Sequence, residues 1–148
     1  MSQPQETRDD KFRLGISIGD INGIGPEVII KALLDARMTQ DCTPVIYGSA
    51  GVVSFYRKQL GAAEFNFNAV RGSDKIILKK INVVNCWEEE AAIEPGRSTE
   101  ASARYALKAL EGATADLQSG KIDALVTAPL SKQAIQQVQP GFTGHTEY

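Results

Sequence analysis

Leu14-Gly15-Ile16-Ser17-Ile18-Gly19-Asp20-Ile21-Asn22-Gly23-Ile24-Gly25-Pro26-Glu27 decides the fold of this chain. A short apolar run ends in Gly19-Asp20, a glycine-rich turn follows, and a helical pattern begins at Pro26, so the stretch reads as strand, loop, helix. Pro26 suits the first helical position, where its missing N–H costs nothing. Val28, Ile29, Leu33 and Leu34 then supply an apolar face at helical spacing.

The same order recurs outward along the chain. Pro44-Val45-Ile46-Tyr47 reads as a strand, Gly48-Ser49 as a loop with a cap, and Val52 to Leu60 as a helix closed by Gly61. Ala62 to Lys80 carries only turn signals between short extended pieces. Ile81 to Asn85 is a further strand, and Glu88 to Ser98 an exposed loop containing Pro95-Gly96. Thr99 caps a long helix to about Leu117, with Ala103, Ala106, Leu107, Leu110 and Thr114 at helical spacing and Gly120 beyond its end. Ala124 to Thr127 reads as a buried strand from its apolar run, followed by a Ser131 cap and a short helix through Val138. Such alternation predicts an α/β fold, a mostly parallel sheet with helices on both faces joined by right-handed crossovers.

Composition agrees with one ordinary globular domain. The 148 residues are 43% hydrophobic and 23% charged, which excludes a disordered or coiled-coil chain. A formal net charge of −2 supplies no general attraction for nucleic acid or an anionic membrane. The polar opening, residues 1 to 11, is read as a flexible lead rather than a secretory signal, and no apolar run is long enough to span a membrane, so a cytoplasmic location is expected. Cys42 and Cys86, the two cysteines, lack CxxC spacing and read as buried free thiols.

In open parallel sheets, ligands bind beyond the carboxyl ends of the strands, where Gly19-Asp20 and Thr127-Ala128-Pro129 fall as rival loops. The first loop precedes a helix whose amides and dipole can hold an anion. Its spacing is neither GxGxxG nor a P-loop, and a tight turn requiring glycine is the plainer reading. Lys132 stands where a cation could grip an anion at a strand end, though exposed lysines are commonplace. The Glu88-Glu89-Glu90 run reads as a solvated loop rather than a catalytic carboxylate pair. His145, the sole histidine, lies on a glycine-hinged loop between Thr143 and Thr146-Glu147 and could donate to a phosphate or act as a base. One histidine makes no multi-histidine metal site.

Taken together, Ile16 to Glu27, Val126-Thr127-Ala128-Pro129-Leu130-Ser131-Lys132 and Phe142-Thr143-Gly144-His145-Thr146-Glu147 resemble the 4-hydroxythreonine-4-phosphate dehydrogenase family of vitamin B6 biosynthesis. Pro95-Gly96 before the long helix fits as well. The resemblance runs from Phe12 to Tyr148; Ile21-Asn22 departs from it, because many members place proline and alanine there. It implies a fold similar to isocitrate and isopropylmalate dehydrogenases and a homodimer with shared active sites. Since members are far longer, residues 12 to 148 are read as a truncated N-terminal α/β portion whose C-terminal half is absent. The implied reaction is NAD-dependent oxidation of 4-phosphooxy-L-threonine, then decarboxylation to 3-amino-2-oxopropyl phosphate.

The resemblance also assigns residues. His145 and Thr146 match the substrate-binding pair, and Asp20, Thr127 and Lys132 fall in matching segments as pocket residues or supports behind it. A divalent cation (Zn, Mg or Co) would polarise the reacting oxygen. Its histidine ligands and most NAD contacts are expected in the absent half, with no metal ligand in this chain, which alone is expected to be inactive. A paralogue acting on a phosphorylated four-carbon sugar acid of the phosphothreonate type would share every motif, and a non-catalytic anion-binding α/β module is the reading from another class.

Overall fold

A computed structural model describes residues 12–141. Strand β1 (Arg13–Ser17) leads to helix α1 (Gly25–Leu33), short helix α2 (Arg37–Asp41), strand β2 (Thr43–Gly48) and helix α3 (Ala50–Gln59). Strand β3 (Asn68–Val70), a 3-10 turn (Ser73–Lys75), strand β4 (Asn82–Asn85), helix α4 (Glu100–Gln118), strand β5 (Ala124–Thr127) and helix α5 (Lys132–Val138) follow. The strands form one sheet in the order β3-β4-β2-β1-β5, with every pair parallel.

Helices lie on both faces of the sheet. Successive residues of a strand face opposite sides, so Ile16 of β1 lies on the side of the sheet that carries Ile29 and Leu33 of α1, while Tyr47 of β2 points toward α4. Helix α1 packs on α3 in one layer, and α4 packs on α5 in the other. The core runs through Ile18, Val45, Ile46, Tyr47 and Val83, all essentially inaccessible to solvent. A smaller cluster of Ala103, Ala106, Leu110 and Ile135 glues α5 to α4.

Local chemistry explains the helix ends. Ser49 accepts from the Gly51 amide at the start of α3. Thr99 and Ser102 form a reciprocal capping box on α4, and Ser131 accepts from Ala134 on α5. Helix α1 has no side-chain cap and starts instead with Pro26 in its first turn.

Three sequence expectations need correction. The buried stripe of α1 is Pro26, Ile29, Ile30 and Leu33, whereas Val28, off the i, i+3, i+4 line of that stripe, and Leu34, at the helix C-cap, are exposed. Strand β5 is not buried: among the described residues it pairs only with β1, and Val126 is 51% exposed at this edge. An apolar run looks alike in a central and an edge strand. Helix α2, with no buried residue, and three-residue β3 are additions that periodicity did not reveal.

The segment before β4 is organised by polar ties instead. Asn82 is fully buried; its amide nitrogen donates to the carbonyls of Ile77 and Lys80, and its side-chain oxygen accepts from the Ile77 amide. Thr43 Oγ1 accepts from the Lys79 amide at 2.7 Å, holding the left-handed Lys79 (φ 64°) in place.

Across the sheet, the Tyr47 hydroxyl donates to Asp116 Oδ2 of α4 at 2.7 Å. Burial, then the bond to Asp116 and its charge, push the Tyr47 hydroxyl far above its ordinary value of 10.0. A folded-state pKa above the unfolded one means that this contribution is complete below pH 10 and is lost at higher pH. Tyr47→Phe is expected to cost about 1–3 kcal/mol in urea unfolding at neutral pH, since it strips a partner from a half-buried carboxylate. The mutant's deficit should shrink in titrations above pH 10; a deficit that grows there contradicts the assignment.

Candidate functional site

The mouth of the sheet is built by two loops that meet rather than compete. The Asp20 amide donates to Pro129 O at 3.0 Å, and the Ala128 amide donates to Ser17 O at 3.1 Å. Gly19 adopts φ +74°, and a Cβ there would stand 2.4 Å from Pro129 O. A Cβ on Gly25 would stand 2.8 Å from Ile18 O. Both glycines are thus explained by the protein's own backbone passing close by, so this loop is no open cradle for a pyrophosphate.

Asp20 sits half-buried on this rim, and one of its oxygens accepts from the Asn22 amide at 2.9 Å to close the turn. Thr127 ends β5 in register with Ser17. Lys132, the first residue of α5, is exposed and makes no hydrogen bond or ion pair among the described residues. Asp20 and Thr127 are therefore brought to one mouth, with Lys132 a turn beyond it in the chain. His145 and Thr146 lie outside the described residues.

Two residues at the mouth escaped sequence reading. The Ser17 hydroxyl is buried beside Thr127 and has no partner among the described residues. Such an orphan at a strand end is the kind of group that a ligand or ordered water completes. Asn22 is 3% exposed and ties the first loop to the Pro95-Gly96 loop. Its amide nitrogen donates to Arg97 O at 2.9 Å, its side-chain oxygen accepts from the Glu94 amide at 2.8 Å, and its carbonyl accepts from the Gly96 amide. The Tyr56 hydroxyl donates to Ile21 O in the same turn, its pKa raised by burial and then by the charges of Asp20 and Glu27. The only sequence signal for this knot was the departure at Ile21-Asn22.

A second hollow, about 540 Å³, lies beyond β2 and β4, lined by Ser49, Arg71, Asn85, Trp87 and Glu88 to Glu90. Its helix amides are already taken, Ala50 by Asn85 and Gly51 by Ser49. The glutamates oppose Arg71 in charge, so the hollow is a poor anion site. Among the described residues no three His, Cys, Asp or Glu converge as metal ligands. The described residues therefore fit neither the cation nor the dinucleotide that the resemblance implies. Cys42 and Cys86 are free, with burial pushing the Cys86 thiol up to about 12.

The family model for the pyridoxal phosphate biosynthetic protein PdxA matches residues 40–148. The chain belongs to this family. A 4-hydroxythreonine-4-phosphate dehydrogenase of Bacteroides thetaiotaomicron is 41% identical over 140 residues, which is 95% of this chain and 38% of that protein. A Cutibacterium acnes relative, provisionally named a D-threonate 4-phosphate dehydrogenase, is 33% identical over 139 residues, 90% of this chain and 40% of its own length. The crystal structure of a 4-hydroxythreonine-4-phosphate dehydrogenase from Burkholderia phymatum superimposes with a TM-score of 0.80 at 27% identity, over 93% of this chain and 42% of that one. The chain thus spans about two fifths of the length of the curated relatives it matches.

Asn22→Ala is expected to speed hydrogen exchange at the Glu94 amide and to lower stability by about 1–3 kcal/mol, because two side-chain bonds at a buried position are lost. Unchanged Glu94 exchange would contradict the tie between the loops.

Proposed function

We propose that this chain forms the substrate side of an oxidoreductase acting on 4-phosphooxy-L-threonine. The 41% identity to the Bacteroides thetaiotaomicron 4-hydroxythreonine-4-phosphate dehydrogenase carries this reading. In the proposed reaction the substrate hydroxyl is oxidised by NAD, and the resulting β-keto acid loses carbon dioxide to give 3-amino-2-oxopropyl phosphate. NAD and a divalent cation are proposed cofactors, held by parts of the family's longer polypeptide rather than by the described residues. The proposed active form is a cytoplasmic homodimer with shared sites.

The chain's own contribution is binding. Lys132, free of other partners among the described residues, is proposed to meet the phosphate or carboxylate as a point charge. His145 and Thr146 are proposed to contact the substrate beside it, and Asp20 and Thr127 to shape the pocket wall. Ser17, buried and unpartnered, offers a hydroxyl behind that wall. The 33% identity to the Cutibacterium acnes protein favours one alternative, oxidation of a phosphorylated threonate. Both substrates carry a phosphate ester and a carboxylate, so the same cationic rim suits either.

Calorimetric titration of the chain should show 4-phosphooxy-L-threonine binding more tightly than 4-phospho-D-threonate, with Lys132→Ala and His145→Ala each weakening it about tenfold, the loss of one charge-assisted contact. The reverse preference moves the assignment to the threonate reading. Absence of binding by either ester sinks the substrate-side role.

A further inference from the structure

Asn22-Gly23 is the one asparagine-glycine pair in the sequence; Asn66, Asn68, Asn82 and Asn85 precede phenylalanine, alanine, valine and cysteine. Such a pair carries its own reaction. With no side chain on the glycine to hinder it, the glycine backbone nitrogen can attack the asparagine carboxamide carbon. A new N–C bond forms, the bond from that carbon to the carboxamide nitrogen breaks, ammonia leaves, and a cyclic imide results. Water then opens the ring to aspartate or to isoaspartate, in which the main chain runs through the former side-chain carbon. Water is the only co-reactant, and no oxidant or reductant takes part.

The fold asks for both residues of this labile pair. A Cβ on Gly23 would stand 3.3 Å from Asp20 Cβ, so the turn that Asp20 closes favours glycine there. Asn22 faces a carbonyl and an N–H at once, which only a carboxamide can satisfy: its Nδ2 donates to Arg97 O at 2.9 Å and its Oδ1 accepts from the Glu94 amide at 2.8 Å. The same bonds keep the reacting atoms apart. Asn22 is 3% exposed, its carboxamide is pinned to the Pro95-Gly96 loop, and the Gly23 amide is engaged with Asp20 O at 3.0 Å. Before the nitrogen can reach the carbon, the side chain must leave both partners and the Gly23 N–H must leave Asp20. We propose that Asn22-Gly23 is a latent deamidation site, guarded by the Pro95-Gly96 loop and open to reaction only when that loop lifts. The product cannot rebuild the tie. A carboxylate has no N–H for Arg97 O, and it adds negative charge beside Asp20, whose Oδ1 already accepts from the Asn22 amide. Isoaspartate also lengthens the main chain inside the turn from β1 to α1. Loop opening is thereby coupled to a one-way loss of the knot.

This chemistry needs no substrate, so its test stands apart from the proposed reaction. The chain is held in mildly alkaline buffer, folded or in urea, and the tryptic peptide from Leu14 to Lys31 is followed by tandem mass spectrometry for the amide-to-acid mass gain. In urea, Asn22 is expected to convert before any other asparagine. In the folded chain its conversion should be at least about tenfold slower, because reaction waits on local opening. Urea added below the unfolding transition should speed conversion and hydrogen exchange at the Glu94 amide in parallel, since both pass through the same opening. Glu94→Pro removes the N–H that Asn22 Oδ1 accepts, and should speed conversion about threefold or more in a chain that circular dichroism shows to be folded. Equal rates in the folded chain and in urea overturn the inference. So does another asparagine converting first in urea, conversion that ignores Glu94 exchange across the urea series, or a folded Glu94→Pro chain that converts at the wild-type rate.

Discussion

The bond from the Asp20 amide to Pro129 O, 3.0 Å long, joins the loops that leave two neighbouring parallel strands, β1 and β5. It forms because Gly19 turns through a left-handed φ of +74° with no side chain, leaving room for the carbonyl. The loop then passes close over Ile18 O through Gly25, which delivers Pro26 to the first turn of α1. One backbone contact therefore sets the entry of α1, the exit of β5 and the distance between Asp20 and Thr127. The position of the candidate site follows from it.

Behind that contact stands a second tier of polar ties. Asn22 fixes the Pro95-Gly96 loop to the first loop, Tyr56 steadies Ile21, and Tyr47 links the central sheet to α4 through Asp116. Each tie satisfies a buried polar group that would otherwise weaken the core. Together they make the mouth rigid on the β1 side. On the β5 side Val126 stays half exposed.

The alternation of strand and helix was legible because apolar runs and caps are local signals: Ser49, Thr99 and Ser131 all cap as their types suggest. The side of α1 that faces the sheet was only half legible, since Val28 is as apolar as Ile30 and burial depends on the neighbouring layer. The turns before β4 stayed hidden because they are organised by side-chain bonds rather than periodicity: three from Asn82 to Ile77 and Lys80, and one from the Lys79 amide to the distant Thr43 hydroxyl. Asp20 follows the end of β1 and Thr127 ends β5, the positions their spacing suggested. Their direct union through Pro129, the orphan Ser17 and the Asn22 knot depend on three-dimensional approach that no spacing encodes.

The most direct measurement is the stability of Gly19→Ala in urea, read together with hydrogen exchange at the Asp20 amide. A methyl group at a left-handed position and 2.4 Å from Pro129 O must force the loops apart. The expected result is a loss of about 2–4 kcal/mol, combining backbone strain with a steric clash, and much faster exchange at Asp20. Wild-type stability with an unchanged Asp20 amide would contradict the dependence of the mouth on this crossing.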